Sequence, residues 1–498
     1  MSKRIAGFTE ILRDAQFSRR NVFKTLFISL IPALFGERAF GLESPLINAI
    51  LGRPTEASIA VSLISRSSAS AFVEYGYSPT KLDLKTKVIT LEKLFPQVIE
   101  INNLKANSKI YYRTKIKDNS TSTFISNEIN SFSTAKRMGS EFSFVVIGDS
   151  HPERIGKMFN EELYNQTLTN ISKQNPDFMI MLGDDFSIDP LIERGQANQT
   201  NIEKIYAKQR NWLSKVAKSS PLFLVNGNHE QAAAYLIDGT DKNPAVIAGK
   251  SRLKYFPLPV SNNFYSADAE KVDFVGKLSD YFAWTWGDAL FITLDPYWHS
   301  KNPVDNVAGA SVDKSQVGGK AGGKTSNLWS IGIGDTQYEW LKSTLEKSKS
   351  KYKFVFSHHV LGTGRGGIEV STQYEWGGQD PKSKKTFTEM RPNWELPIHD
   401  LMVKHGVNIF FQGHDHIFVH QERDGLIYQS MPNPADDTFT MFNDAAYLSG
   451  TKAPNSGHVR VTVSQPIVKV EYFLSARSQD ESEERQNLKI AHSYSIKV

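Results

Sequence analysis

Five times between residues 140 and 425, an apolar run of strand length breaks into a loop that carries aspartate, asparagine or histidine. Run 142–147 leads to Gly148, Asp149, Ser150 and His151, and run 178–182 to Gly183 and Asp184. Run 221–225 leads to Asn226, Gly227, Asn228, His229 and Glu230. Run 352–356 ends in Ser357, His358 and His359, and run 407–411 precedes Gly413, His414, Asp415 and His416. Segments of helical period lie between them, at 158–173, at 201–218 and from Asp335 onward, where Tyr338, Leu341 and Leu345 share a face. Strands alternating with helices predict a parallel α/β sheet. In such a sheet the loops at the carboxyl ends of the strands gather at one crevice. Five polar loops from distant stretches are therefore expected to build one site.

The chain has no cysteine, which excludes a disulfide scaffold, a thiolate metal site and a Cys nucleophile. Any metal must sit on nitrogen and oxygen. Asp149 and His151 are two residues apart just past a strand, so both are expected on one side of an extended segment. His414 and His416 repeat that spacing. Three imidazoles and a carboxylate suit a divalent zinc, manganese, iron or cobalt ion. Asp184 adds a carboxylate able to bridge two ions, Asn228 a carbonyl, and His358 or His359 a further nitrogen. With one of the adjacent histidines used, seven residues offer donors, enough for two ions with positions left for water and substrate. Two ions about 3.5–4 Å apart activate a water for in-line attack on a phosphate ester. His229, next to Asn228, is placed to protonate a leaving group. The remaining histidines, His299, His399, His405, His420, His458 and His492, read as structural.

Composition, 40% hydrophobic and 22% charged, is that of an ordinary globular protein, and 498 residues suffice for two or three domains. Residues 1–41 hold seven Lys/Arg against three Asp/Glu, so the rest of the chain is close to neutral and nothing indicates nucleic-acid binding. Ser18-Arg-Arg-Asn-Val-Phe-Lys24 resembles the twin-arginine export consensus, followed by an apolar stretch too short to span a bilayer. Residues 1–41 are thus expected to be an export signal read by the twin-arginine machinery. The mature chain would lie in a bacterial periplasm or outside the cell, without a membrane span. Residues 45–137 alternate in short strands and are expected to form a β-sandwich, read as a structural spacer. Residues 140–475 are expected to be the catalytic domain and 476–498 a C-terminal strand extension. The stretch 307–326 is rich in Gly, Lys and Ser and is expected to add nothing to a core. Oligomeric state is not legible.

Gly-Asp-x-His, Gly-Asp, Gly-Asn-His-Glu, a His-His strand end and Gly-His-x-His, in that order, resemble the binuclear metallophosphoesterase (calcineurin-like) superfamily. Motifs in 45–137, such as Glu74-Tyr-Gly-Tyr-Ser-Pro79, look like the fibronectin type III-like domain that precedes the catalytic domain of purple acid phosphatases. The resemblance implies a multidomain α/β and α+β chain: an N-terminal β-sandwich, then an αββα sandwich of two sheets. It implies two divalent or mixed-valence ions, iron, manganese or zinc. Asp149, His151, Asp184 and His416 would hold one, Asp184, Asn228, His358 and His414 the other, and His229 would face the leaving group. His359, Glu230, Asp185 and Arg365 would surround the site or touch substrate. Two departures stand out. Ser187 replaces the tyrosine of purple acid phosphatases, which implies no tyrosinate colour, and Asp185, Asp189 or Glu230 is left to orient His229. The twin-arginine segment is similar to that of the exported alkaline phosphatases of type D, whose motif around Asn-His differs. The expected activity is hydrolysis of phosphate monoesters by a metal-bridging hydroxide, as in acid phosphatases. The alternatives are a phosphodiesterase acting on nucleotides or lipid head groups, and a catalytically relic surface binding protein.

Overall fold

The computed structural model describes residues 47–230, 237–300, 328–360 and 365–497. The expected export signal at 1–41 and the Gly/Lys/Ser-rich stretch at 307–326 lie outside them. Two mixed sheets pack face to face. The first has nine strands, in the order Ile490–Lys497, Ile467–Leu474, Gly457–Ser464, Phe142–Ile147, Phe178–Met181, Leu222–Leu224, Ile47–Gly52, Ile59–Ser65 and Gln97–Ile101. Its three central strands, Phe142–Ile147, Phe178–Met181 and Leu222–Leu224, run parallel. The second has eight, in the order Ser266–Ala267, Phe282–Trp286, Ala289–Thr293, Tyr352–Phe356, Ile409–Gln412, Leu426–Ser430, Phe418–Arg423 and Thr451–Ala453. There Ala289–Thr293, Tyr352–Phe356 and Ile409–Gln412 are parallel. All five donor loops thus leave carboxyl ends of parallel strands, three from one sheet and two from the other.

These strands are buried on both faces, which is why they read as unbroken apolar runs. Alternate residues of each turn between the sheets, where Phe144, Phe178, Phe223, Trp284, Phe291, Phe354, Phe356 and Phe411 form one core. Phe144 stacks on Phe178 at 5.4 Å and meets Phe291 edge-on at 5.1 Å, while Phe223 stacks on Trp284 at 4.1 Å. Such offset and edge contacts add about 0.5–1.5 kcal/mol each beyond area burial. The outer face of the second sheet is covered by the helices Gly334–Lys347 and Ile398–Lys404 through Tyr338, Leu341, Leu345, Ile398 and Leu401. On the first sheet, Gln199–Ala217 lies over Ile47–Gly52 and Phe178–Met181. The helix Pro244–Tyr255, not foreseen, starts at an Asn243 cap that accepts from Ala245 N at 2.9 Å, with Pro244 at its first position.

The N-terminal strands form a sandwich whose core unites Ile47, Leu51, Val61 and Leu63 with Ala71, Val73, Ile110 and Ile116. The structure opens the region expected at 45–137 with the strand Ile47–Gly52, whose Gly52 pairs in parallel with Leu222 of the catalytic sheet. Buried Arg210 of the long helix ties the two together, donating to Ser62 Oγ at 3.1 Å and Ser62 O at 2.7 Å. Tyr112 Oη donates to Lys218 O at 2.7 Å. The donor loops are thereby built on a platform that extends well past the catalytic strands.

Candidate metal centre

In three of the five donor loops the backbone turns left-handed past its strand rather than prolonging it. Asp149, His151, Asp184, His414 and His416 occupy the left-handed region, with φ of 59°, 47°, 59°, 68° and 55°. This corrects the expectation of extended Asp149/His151 and His414/His416 segments: the backbone curls at both pairs. Left-handed backbone costs about 1–2 kcal/mol per non-glycine residue, so it persists only where the surroundings impose it. Here the loops bond one another. Asp149 N donates to Gly183 O at 2.8 Å, His151 N to Asp184 O at 3.1 Å and Gly413 N to His358 O at 2.8 Å. His414 N donates to both carboxylate oxygens of Asp149, at 2.8 and 3.0 Å. Glu230 accepts from the N–H groups of Asp184, Asp185, Phe186 and Gly227 at 2.6–3.0 Å, so it clamps two loops together.

At Gly227 this clamp leaves no room for a side chain. A Cβ there would lie 2.2 Å from Asp184 Oδ1 and 2.5 Å from Asp184 N. Gly227→Ala is expected to displace Asp184 and lower turnover by roughly 100-fold, the scale of a 1 Å misplacement. Steady-state kinetics beside an unchanged circular dichroism spectrum would check it.

The curled loops bring eight predicted residues into one buried cluster. His151 Nε2 and His416 Nε2 are 3.2 Å apart, and His416 Nε2 is 3.5 Å from Asp149 Oδ1. His414 Nδ1 is 3.1 Å from Asn228 Oδ1. Asp184 Oδ2 lies between these groups, 3.0 Å from His358 Nε2, 3.5 Å from His151 Nε2 and 3.9 Å from His229 Nε2. Donor atoms of Asp149, His151 and His416 fall within 4.8 Å of one another, and so do those of Asp184, His358 and His414. His358 Nδ1 donates to Leu182 O at 2.7 Å, which turns its Nε2 into the cluster.

The electrostatics suit cations. Burial, with Arg154 and Arg365 nearby, holds the imidazole of His416 well below its usual pKa, and burial lowers that of His151 against the pull of Glu153. Both are neutral and able to ligate. Burial pushes the Asp149 carboxyl up to about 7, and Asp184 adds to it. Burial works against the charge of Asp184 as well, yet His358, His229 and His151 keep its carboxyl well below the usual range. Burial opposes the imidazolium of His358, but Asp184 and Asp149 outweigh it and lift the pKa to about 10. A buried set of carboxylates that recruits protons onto its neighbours has the donor set and charge deficit of a divalent metal site.

Around the cluster, His359 Nδ1 meets Tyr297 Oη at 2.7 Å and its ring stacks on His414 at 4.6 Å. Asp185 accepts from Ser150 N at 3.2 Å and Ser150 Oγ at 2.5 Å. Arg365 donates to the His414 carbonyl and, at 3.1 Å, to Asp415 Oδ1. Of the three acids considered for His229, it is Asp189 that contacts its Nδ1; Asp185 and Glu230 are spent on the loops. Burial disfavours the His229 imidazolium, but Asp184 and Asp189 raise its pKa to about 9. Sequence reasoning missed Glu153 and Arg154, which follow His151 in the single turn Pro152–Arg154. Glu153 Oε1 lies 2.8 Å from His151 Nδ1, and Arg154 Nη2 lies 3.2 Å from His229 Nε2. Glu153's two-residue spacing from His151 was the one available signal.

The model of the calcineurin-like phosphoesterase family matches residues 142–418, more than half of the chain and all five loops. The chain belongs to the calcineurin-like phosphoesterases. No curated protein matches this phosphoesterase in sequence. Among solved structures it is similar to a purple acid phosphatase from yellow lupin (Lupinus luteus) seeds, at 14% identity and TM-score 0.56 over 90% of this chain and 74% of that one. It is equally similar to PhoD, at 13% identity and TM-score 0.58 over 90% of both chains. At such identity the likeness is one of fold. The phosphoesterase is a binuclear-metal phosphoric ester hydrolase with a divalent metal site on its His/Asp clusters. Among the described residues, no helix is long and apolar enough to cross a membrane.

Proposed function

We propose that the chain is an exported phosphomonoesterase in which Asp184 would be a donor to both ions. The observation that carries this reading is the position of Asp184 Oδ2, within 3.5 Å of imidazoles from both donor groups. Asp149, His151, Asp184 and His416 would hold the first ion, and Asp184, Asn228, His358 and His414 the second. When bound, iron, manganese or zinc ions supply Lewis acidity that activates water and neutralises phosphoryl charge. The protein residues do the rest. Asp189 fixes the His229 ring through Nδ1 and stabilises its protonated form, leaving Nε2–H to donate to the leaving oxygen. Arg154 brings a second N–H donor to within 3.2 Å of that nitrogen. Two cationic donors this close need an anionic oxygen between them, and a phosphoryl group supplies one.

Arg154 favours a monoester, which carries one more negative charge than a diester at neutral pH. A specific observation keeps the diesterase reading alive: Phe442, 45% exposed, sets its ring 5.8 Å from that of His416, an apolar rim suited to a second ester group. Export rests on the resemblance of residues 18–24 to the twin-arginine consensus, and a reporter fused after residue 41 should reach the periplasm only when Arg19 and Arg20 are intact.

The test is hydrolysis of nitrophenyl phosphate against bis-nitrophenyl phosphate by the reconstituted chain. A monoester preference of at least about tenfold in kcat/KM is expected, and Arg154→Ala should remove most of it, a loss of roughly 1.5–3 kcal/mol for a hydrogen bond to a charged group. A diester preference in the wild type would assign the enzyme to the second reading.

A further inference from the structure

Away from the catalytic loops, three further side chains converge. Asp268 follows the strand Ser266–Ala267, Asp280 precedes Phe282–Trp286, and His299 sits in the turn beyond Ala289–Thr293. Asp268 is 1% exposed and Asp280 fully buried. Each carboxylate has one oxygen tied down by the backbone: Asp268 Oδ1 accepts from Glu270 N at 2.8 Å and Asp280 Oδ1 from Tyr281 N at 3.0 Å. Asp280 turns its other oxygen toward the imidazole. Asp280 Oδ2 is 3.0 Å from His299 Nε2, and donor atoms of all three residues lie within 4.8 Å of one another. Asp268 Oδ2 is buried without a well-formed hydrogen bond, although the Asp268 carboxyl stands against that of Asp280 and against the Tyr281 phenol. On the other side of the ring, Glu270 Oε2 lies 3.9 Å from His299 Nδ1.

We infer that Asp268, Asp280 and His299 form a third divalent-cation site, separate from the catalytic pair and structural in role. Two donors each ~2.1 Å from one ion are ~3.0 Å apart at an octahedral right angle and ~3.4 Å apart at the tetrahedral angle of zinc; Asp280 Oδ2 and His299 Nε2 stand at 3.0 Å. Asp268 Oδ2 supplies the third donor. Glu270 faces the remaining ring nitrogen, as carboxylates do behind metal-binding histidines. One imidazole with two carboxylates selects a borderline ion of the zinc or manganese class. His299 also borders a cavity of about 380 Å³, shared with Trp329, Asp335 and Arg391. The turn that carries His299 also carries Asp295, which holds Asn226, and Tyr297, which holds His359. A cation there stiffens one wall of the catalytic centre.

Metal content decides the matter. The full chain, stripped by chelation and reloaded with zinc or with manganese, is expected to retain three equivalents, and Asp268→Asn and His299→Gln two each. A variant carrying His358→Ala and His416→Ala should keep one equivalent that Asp268→Asn removes, together with a rise in Tm on adding zinc. The inference rests on the site and not on the catalytic assignment, so the two fail differently. Two equivalents in the wild type, both lost with His358 and His416, would overturn the third site and leave the carboxylates sharing a proton. A third equivalent that persists in both folded single variants would place it elsewhere. One equivalent in the wild type, removed by Asp268→Asn, would uphold this site and refute the catalytic pair.

Discussion

Asp184→Asn is expected to abolish turnover of any phosphate ester and to lower bound metal by at least one ion per chain. The amide keeps the side-chain volume and the oxygen that accepts from His229 N at 3.0 Å, so the loop should hold its shape. What it removes is charge. Asp184 Oδ2 is approached by His358 at 3.0 Å, His151 at 3.5 Å and His229 at 3.9 Å, while Asp149 Oδ1, 3.5 Å from His416 Nε2, reaches His358 Nε2 only at 3.9 Å. Loss of an outer partner typically costs 10–100-fold in affinity or activity; removing the shared donor should exceed that, on the order of a thousandfold or more. Metal analysis beside kinetics separates two results. Loss of activity with loss of metal supports the assignment. Full activity with a full complement of metal would refute it, and with it the whole division of donors.

The donor loops were legible because the strands beneath them are buried on both faces, so 142–147 or 352–356 reads as an unbroken apolar run that ends abruptly in polar residues. The helix beginning at Gly334 was legible for a related reason, since Tyr338, Leu341 and Leu345 pack on one sheet face. What the sequence hid was longer in range or stereochemical. Nothing local tells that Asp149 or His414 is left-handed, because that conformation is imposed by bonds from loops more than 30 and 200 residues away. Gly52 joins the catalytic sheet through Leu222, a pairing with no period to reveal it. Arg154 follows His151-Pro152-Glu153 and resembles any solvated charge. Asp189 stood among three acids that only packing could separate. His299 read as structural because its partner Asp280 is 19 residues distant and belongs to no recognisable motif.

His229→Ala tests the chemistry rather than the scaffold. His229 stands with His151 and Asp184 in one donor group, but each proposed ion has three other protein donors besides Asp184 and His229 Nδ1 is engaged by Asp189, so the variant is expected to bind its metals as the wild type does. General acid catalysis contributes about 10²–10⁴-fold, and most where the leaving group is a strong base. With an alkyl phosphate, whose alkoxide needs the proton, kcat/KM should therefore fall by a factor in that range. With a nitrophenyl ester, whose phenolate leaves unaided, the loss should be small, at most about tenfold. A plot of log kcat/KM against leaving-group pKa should accordingly steepen in the variant. Asp189→Asn should move the slope the same way but less far, because the imidazole remains while the charge stabilising its protonated form is gone. Equal losses for good and poor leaving groups would show that His229 acts on the phosphoryl group instead. Arg154, 3.2 Å from the same nitrogen, would then become the residue left to meet the departing oxygen.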